Sequence, residues 1–245
     1  GPGIYTTQGS IDLPDNCVIR GAHRSVVVIP ESGFEERNVF RLGSGCFVEG
    51  LLFENWRLDS LEDPTVGFAF CFRPGAVITR APYVHKVAVR TTPYWETVAP
   101  PLDRENGNPL VGRGAGVVLA DGAVCSQYSI YPNIMTWGAT PVSHNGIGYV
   151  AKNGALINAV NAVSLWAHKH FLALSGGQII LSSCSTQFGD YTMVSSGTRE
   201  LIVPTEVADG ILSVQTTAAN AIDTATNTII NNMWNDLVAN GYTSG

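Results

Sequence analysis

The chain is short of charge. Lys, Arg, Asp and Glu make up 14% of its 245 residues against 45% hydrophobic residues, the reverse of the balance that keeps a segment disordered. It has no run of Lys and Arg: Arg20, Arg24 and Arg37, and Arg73, Arg80 and Arg90, stand singly. With a net charge of −6 and no basic stripe to neutralise phosphates, nucleic acid is not an expected partner. No apolar stretch reaches the roughly 18 residues of a membrane span. The start, Gly1-Pro-Gly-Ile-Tyr5, lacks the basic and apolar regions of a signal peptide. Membrane insertion is therefore not expected. Disulfide and zinc signatures are missing too: the five cysteines, Cys17, Cys46, Cys71, Cys125 and Cys184, are odd in number and hold no C-x-x-C pair. Gly-Cys46-Phe-Val and Phe-Cys71-Phe read as buried thiols, compatible with assembly in a reducing cytoplasm. Without an initiator Met, the sequence reads as a piece of a longer chain.

What is abundant is turn chemistry. Twenty-six glycines and 13 prolines break the chain into short apolar runs, which favours an all-β fold. One phrase recurs: a turn closed by Gly, an apolar-alternating strand, a polar corner, then another short strand. Copies start at Gly45, Gly75, Gly122, Gly154 and Gly177, at intervals of 30, 47, 32 and 23 residues. The shortest interval matches one course of a solenoid of short strands, in which like residues stack from course to course. A right-handed parallel β-helix over residues 1–205 is the expected fold. The longest interval contains residues 93–116, rich in Pro, Gly and Asn, and predicts an insertion loop outside the stack. The pairs Asn106-Gly107, Asp121-Gly122, Asn145-Gly146 and Asn153-Gly154 also suit hairpins, so a β-sandwich stays open as the alternative.

Beyond Pro204 the pattern changes. Ile211, Val214, Ala218, Ala221, Ile222, Ala225, Ile229, Met233 and Leu237 recur mostly at steps of three and four, a helical period. Asn240-Gly241 supplies a C-cap. Residues 206–245 are expected to form a helical linker or junction.

Pro2-Gly3-Ile4-Tyr5, Gly9-Ser-Ile-Asp-Leu-Pro14, Val18-Ile-Arg-Gly21 and Gly50-Leu-Leu-Phe-Glu-Asn55 resemble the first coils of pectate-lyase-like β-helices. Asn153-Gly-Ala-Leu-Ile157, Leu165-Trp-Ala-His168 and Gly177 to Tyr191 are similar to stretches of structural proteins of tailed phages, especially T4-like myoviruses of marine cyanobacteria. Asn232 to Tyr242 resembles the segment that in such proteins leads to a further domain. The resemblance implies a virion protein of the tail, baseplate or tail fibre. Its implied state is a homotrimer in contact with other virion proteins, and its implied role is assembly or host attachment. It carries over no catalytic motif and no cofactor. The alternative it leaves is a tailspike domain that binds or cleaves host surface polysaccharide.

Candidate chemistry is sparse. Glycoside cleavage needs two carboxyls about 5–10 Å apart, and Glu49 and Glu54, within one course, are the candidates. Asp59, Glu62 and Asp63 follow them, and Glu35 and Glu36 precede them. A lyase would pair carboxylates with a basic residue, yet Lys86, Lys152 and Lys169 lie beside no acidic cluster in sequence. His168 and His170, one residue apart, share a face if on a strand and are weak metal candidates with no third ligand nearby in sequence. Tyr94, Trp95, Tyr128, Tyr131 and Trp137 fall in or just after the insertion. Loops on a rigid scaffold carry recognition, so these rings are the candidate receptor or carbohydrate surface.

Overall fold

The computed structural model describes residues 1–22, 25–91, 114–122 and 133–196, and the backbone of 201–204 and 215–217. The described chain is all-β, and from β1 to β20 its strands fall in strict rotation into three sheets. Sheet 1 holds β1 (Gly3–Thr7), β4 (Val26–Pro30), β7 (Leu52–Glu54), β10 (Ala88–Thr91), β13 (Thr140–Ser143), β16 (Val163–Leu165) and β19 (Ser185–Gln187). Sheet 2 holds β2 (Ile11–Asp12), β5 (Phe40–Leu42), β8 (Phe68–Phe72), β11 (Gly116–Asp121), β14 (Ile147–Lys152), β17 (Lys169–Leu174), β20 (Tyr191–Ser196) and β21 (Leu201–Pro204). Sheet 3 holds β3 (Val18–Arg20), β6 (Phe47–Glu49), β9 (Tyr83–His85), β12 (Asn133–Trp137), β15 (Leu156–Val160), β18 (Gln178–Ser182) and β22 (Gln215–Thr217). From β1 to β20 each strand pairs in parallel with the strand three places on, as β14 does with β17 and β15 with β18. Among the described strands, only β21 on β20 and β22 on β18 run antiparallel.

Parallel pairing answers the sandwich alternative, because such sandwiches are built from antiparallel strands. Asn153-Gly154 does make a tight turn, with φ of 53° and 77° and Ala155 N donating to Lys152 O at 3.1 Å. That turn carries the chain from sheet 2 to sheet 3 instead of folding β14 back on itself. The recurrent Gly phrase marks this corner: Gly45 (φ 66°), Gly75 (72°) and Gly154 (77°) all precede sheet 3 strands in the left-handed region. Repeat lengths settle down along the chain. Phe47 pairs with Tyr83, thirty-six residues on, whereas Leu156 pairs with Gln178, twenty-two residues on.

From β6 onward the passage from sheet 3 to sheet 1 always takes two residues. They are Gly50-Leu51, Lys86-Val87, Gly138-Ala139, Asn161-Ala162 and Ser183-Cys184. The first is left-handed, with φ of 71°, 49°, 64°, 50° and 53°; the second is buried. The N–H groups of Gly50, Lys86, Gly138 and Asn161 donate to His85, Trp137, Val160 and Ser182 carbonyls at 2.9–3.1 Å, so the ladder runs unbroken around the bend. Insertions fall at the other two corners.

One apolar cluster draws Phe53 and Val89 from sheet 1, Phe70 and Tyr149 from sheet 2, and Val48 and Ile157 from sheet 3. Like residues stack within it, as the sequence pattern requires. Phe40, Phe70, Val118, Tyr149, Phe171 and Met193 follow one another in register, with Tyr149 and Phe171 rings stacked 5.1 Å apart. Sheet 2 is apolar on its other face as well. There Leu58 packs with Cys71, Leu119, Val150, Leu172 and Val194.

Of the predicted insertion, 93–113 lies outside the described residues; Gly116 already begins β11. The helical segment 206–245 lies outside them too, except that Gln215–Thr217 is strand β22. At these positions the helical period is overridden by the free edge of β18, and two β-branched threonines suit a strand. Among the described residues no helix is long and apolar enough to cross a membrane.

Candidate functional site

The outward face of sheet 3 carries two adjacent rows of side chains. Alternation along short strands sends Ile19, Val48, Val84 and Ile134 to the core side and leaves their neighbours outside. The first row is Val18, Phe47, Tyr83 and Met135, and the second is Arg20, Glu49, His85 and Trp137. Each row crosses the strands, so its members sit one strand spacing apart, about 4.8 Å.

The second row is linked end to end. Arg20 Nε lies 3.6 Å from Glu49 Oε2, and His85 Nδ1 lies 3.0 Å from Glu49 Oε1. The His85 ring is 5.9 Å from Trp137, at an interplanar angle of 52°. Arg20 also holds its guanidinium 5.7 Å above the Phe47 ring, a cation–π contact. Tyr83 is 45% and Trp137 55% exposed. The tilt between the His85 and Trp137 rings leaves the Trp137 face uncovered. These side chains stand just ahead of the two-residue corner and are fixed on strands, which hold geometry better than loops do.

A second constellation lies on sheet 2. The segment 55–67 crosses its outer face as a strap. Asp59 ties the strap's base: Oδ1 accepts from the N–H groups of Thr65 (2.9 Å) and Val66 (3.2 Å), and Oδ2 from Thr65 Oγ1. Burial works to raise the pKa of this carboxyl, but those hydrogen bonds outweigh it and hold the value below the usual range. Two buried lysines pin the tip. Lys152 Nζ donates to Asp63 Oδ1 at 2.8 Å and Pro64 O at 3.1 Å, and Lys169 Nζ to Leu61 O at 2.8 Å and Glu62 Oε2 at 3.0 Å. The sequence places these lysines about ninety and a hundred residues from the acidic cluster; the fold brings them together. Glu62, Lys169, His168, Tyr191 and Leu172 line a surface pocket of about 620 Å3 beside the strap. At the nearby corner between sheets 1 and 2, His144, Trp166 and Phe188 form a flat ladder, with centroids 5.2 and 5.3 Å apart and planes within 12° and 17°. These rings cover one another's faces.

The sequence candidates are distributed as follows. Glu49 and Glu54 lie on the outward faces of different sheets, 3 and 1. Each is ion-paired, Glu49 with Arg20 and His85 and Glu54 with Arg90, so the two do not form a facing pair. Trp137 joins Glu49 in one row. Tyr94, Trp95, Tyr128 and Tyr131 lie outside the described residues. His168 and His170 do not share a face: a local irregularity in the ladder turns His170 inward. His168 lies in the sheet 2 pocket with Nδ1 2.7 Å from Asp190 Oδ2. His170 is fully buried, with Nδ1 2.7 Å from Ser164 Oγ. Among the described residues no group of three or more His, Cys, Asp or Glu is placed to hold a metal ion.

Sequence reasoning missed Arg20, Tyr83 and His85. His85 closes its strand just as Glu49 and Trp137 do, so aligning the courses on the left-handed corner residue would have found it; Arg20 also closes its strand, but Gly21 after it is not left-handed. No protein-family model matches the chain, and no curated protein or solved structure matches it.

Proposed function

We propose that the three sheets close into a right-handed parallel β-helix and that the chain is a structural component of a bacteriophage tail, baseplate or tail fibre. In this reading it is a homotrimer, assembled in the host cytoplasm, contacting other virion proteins and serving in assembly or host attachment. The observation that carries it is the unbroken pairing of every strand with the strand three places on, from β1 to β20. Such a ladder makes a stiff rod whose courses contact only their neighbours, a shape suited to an appendage that must transmit position without bending. The resemblance of 153–168 and 177–191 to phage structural proteins supplies the setting.

Sedimentation equilibrium across a wide concentration range tests it. The expected result is a trimer that dissociates on dilution; a monomer at the highest concentrations overturns the assembly reading.

A second reading, a tailspike domain acting on host polysaccharide, is favoured by the exposed rings of Tyr83 and Trp137. Its binding form fits the structure better than its cleaving form, because Glu49 and Glu54 lie on different sheets and each is ion-paired.

A further inference from the structure

The outer face of sheet 3 carries few acidic groups among the described residues. The chain carries a net charge of −6, yet this face and its edge toward sheet 1 bring together Arg20, His85 and Lys86. Glu49 is the one carboxylate on its strands among the described residues. That carboxylate is already held between Arg20 Nε and His85 Nδ1. The Arg20 side chain is 71% exposed, and its terminal NH2 groups are left for a ligand. Lys86 is exposed and stands at the corner directly after His85.

The same face holds the rings whose faces are open. Trp137 is tilted against His85, unlike the flat His144–Trp166–Phe188 ladder, and Tyr83 is exposed beside them. Further along, Asn133 and Asn158 sit side by side, with Asn158 Nδ2 donating to Asn133 Oδ1 at 3.1 Å, and Gln178 follows. From Arg20 to Trp137 is three strand spacings, about 14 Å, enough for a short stretch of an extended chain lying across the strands.

We propose that this face binds an acidic linear glycan, with Tyr83 and Trp137 stacking on sugar rings and Arg20 and Lys86 pairing with its carboxylates. The inference deepens the attachment role given above and rests on it. Aromatic faces accept the apolar side of a sugar ring, while guanidinium and ammonium groups select for its acid groups. A nucleic acid would call for more cations along its track than this face offers.

The test uses the whole chain and two probes: short oligouronates prepared from alginate, and uncharged cello-oligosaccharides. Calorimetric titration is expected to show binding of the oligouronates that weakens as salt rises, and none of the neutral sugars. Trp137→Ala and Tyr83→Ala each lower oligouronate affinity about tenfold, whereas Trp137→Phe retains most of it. Arg20→Gln lowers affinity and flattens the salt dependence. Val163→Ala, on the outer face of sheet 1, changes neither. Equal binding of both probes, no binding of either, or binding that survives loss of both rings overturns the proposal. So does self-association that disappears with Trp137→Ala, since it gives the face to a second copy. A trimer that binds no glycan removes this inference and leaves the assembly reading standing; a monomer that binds oligouronates does the converse.

Discussion

His170 shows what a single residue contributes. Its ring is wholly enclosed and Nε2 has no hydrogen-bond partner. Gly189 packs so closely that a Cβ there would lie 2.4 Å from Nε2. Burial pushes its pKa down to about 4, against about 6.5 in an unfolded chain. Between those values the unfolded chain binds a proton that the folded one refuses, so stability falls as pH drops from about 6.5 toward 4. The full loss is on the order of 3 kcal/mol. Urea unfolding at pH 7 and pH 4.5 should show this loss, and a His170→Gln variant should lose much less between the two. An equal loss in both would place the acid sensitivity elsewhere. The histidine pair also shows where sequence falls short at this scale. Strict alternation would put residues 168 and 170 on one face, but the pairing of β14, β17 and β20 skips residues 148, 170 and 192, and that irregularity is invisible in residue type.

At the scale of the element, the recurrent Gly phrase was legible as the corner before sheet 3, whereas the two-residue corner between sheets 3 and 1 was legible only in part. Gly50-Leu51 and Gly138-Ala139 carry the Gly that a left-handed bend favours. Asn161 fills the same place, as one of the few other residues that tolerate it. Lys86 and Ser183 do so with no propensity signal; at Lys86 ladder bonds on both sides over-determine the bend. Asn161→Gly should therefore leave the thermal midpoint unchanged or raise it slightly. Asn161→Val should cost about 1–2 kcal/mol, and calorimetry on the two variants distinguishes them. A midpoint insensitive to Val would mean that the corner is not strained. The strap 55–67 was not legible. Its acidic tip reads in sequence as solvated charge, and only the stacking of courses brings Lys152 and Lys169 beneath it.

For the whole molecule, the interval between paired strands is what the sequence made visible. Its regular part, from β13 to β20, pairs strands about twenty-two residues apart, whereas Ala88 reaches Thr140 across fifty-two. Closing the longer loop costs about 0.8 kcal/mol more, and contacts distant in sequence form later. Pulse-labelled hydrogen exchange during refolding should therefore protect amides of β14, β15, β17 and β18 before those of β7 and β10. The opposite order would show that the inserted segments nucleate the fold. The order of the sheets was out of reach of sequence reading, since apolar alternation is the same in all three.

The two antiparallel strands, β21 and β22, lie at the last parallel strand of sheets 2 and 3. A stack of parallel courses is a template: each finished course offers the next an edge in the right direction, and a stray copy of the same sequence fits it well. Where β21 lies on β20 and β22 on β18, that direction is reversed on two of the three sheets. A foreign parallel strand arriving there finds no matching edge. Head-to-tail addition of a further copy, the standing hazard of a self-similar sequence, is thereby checked on sheets 2 and 3 by seven residue pairings, three on β18 and four on β20.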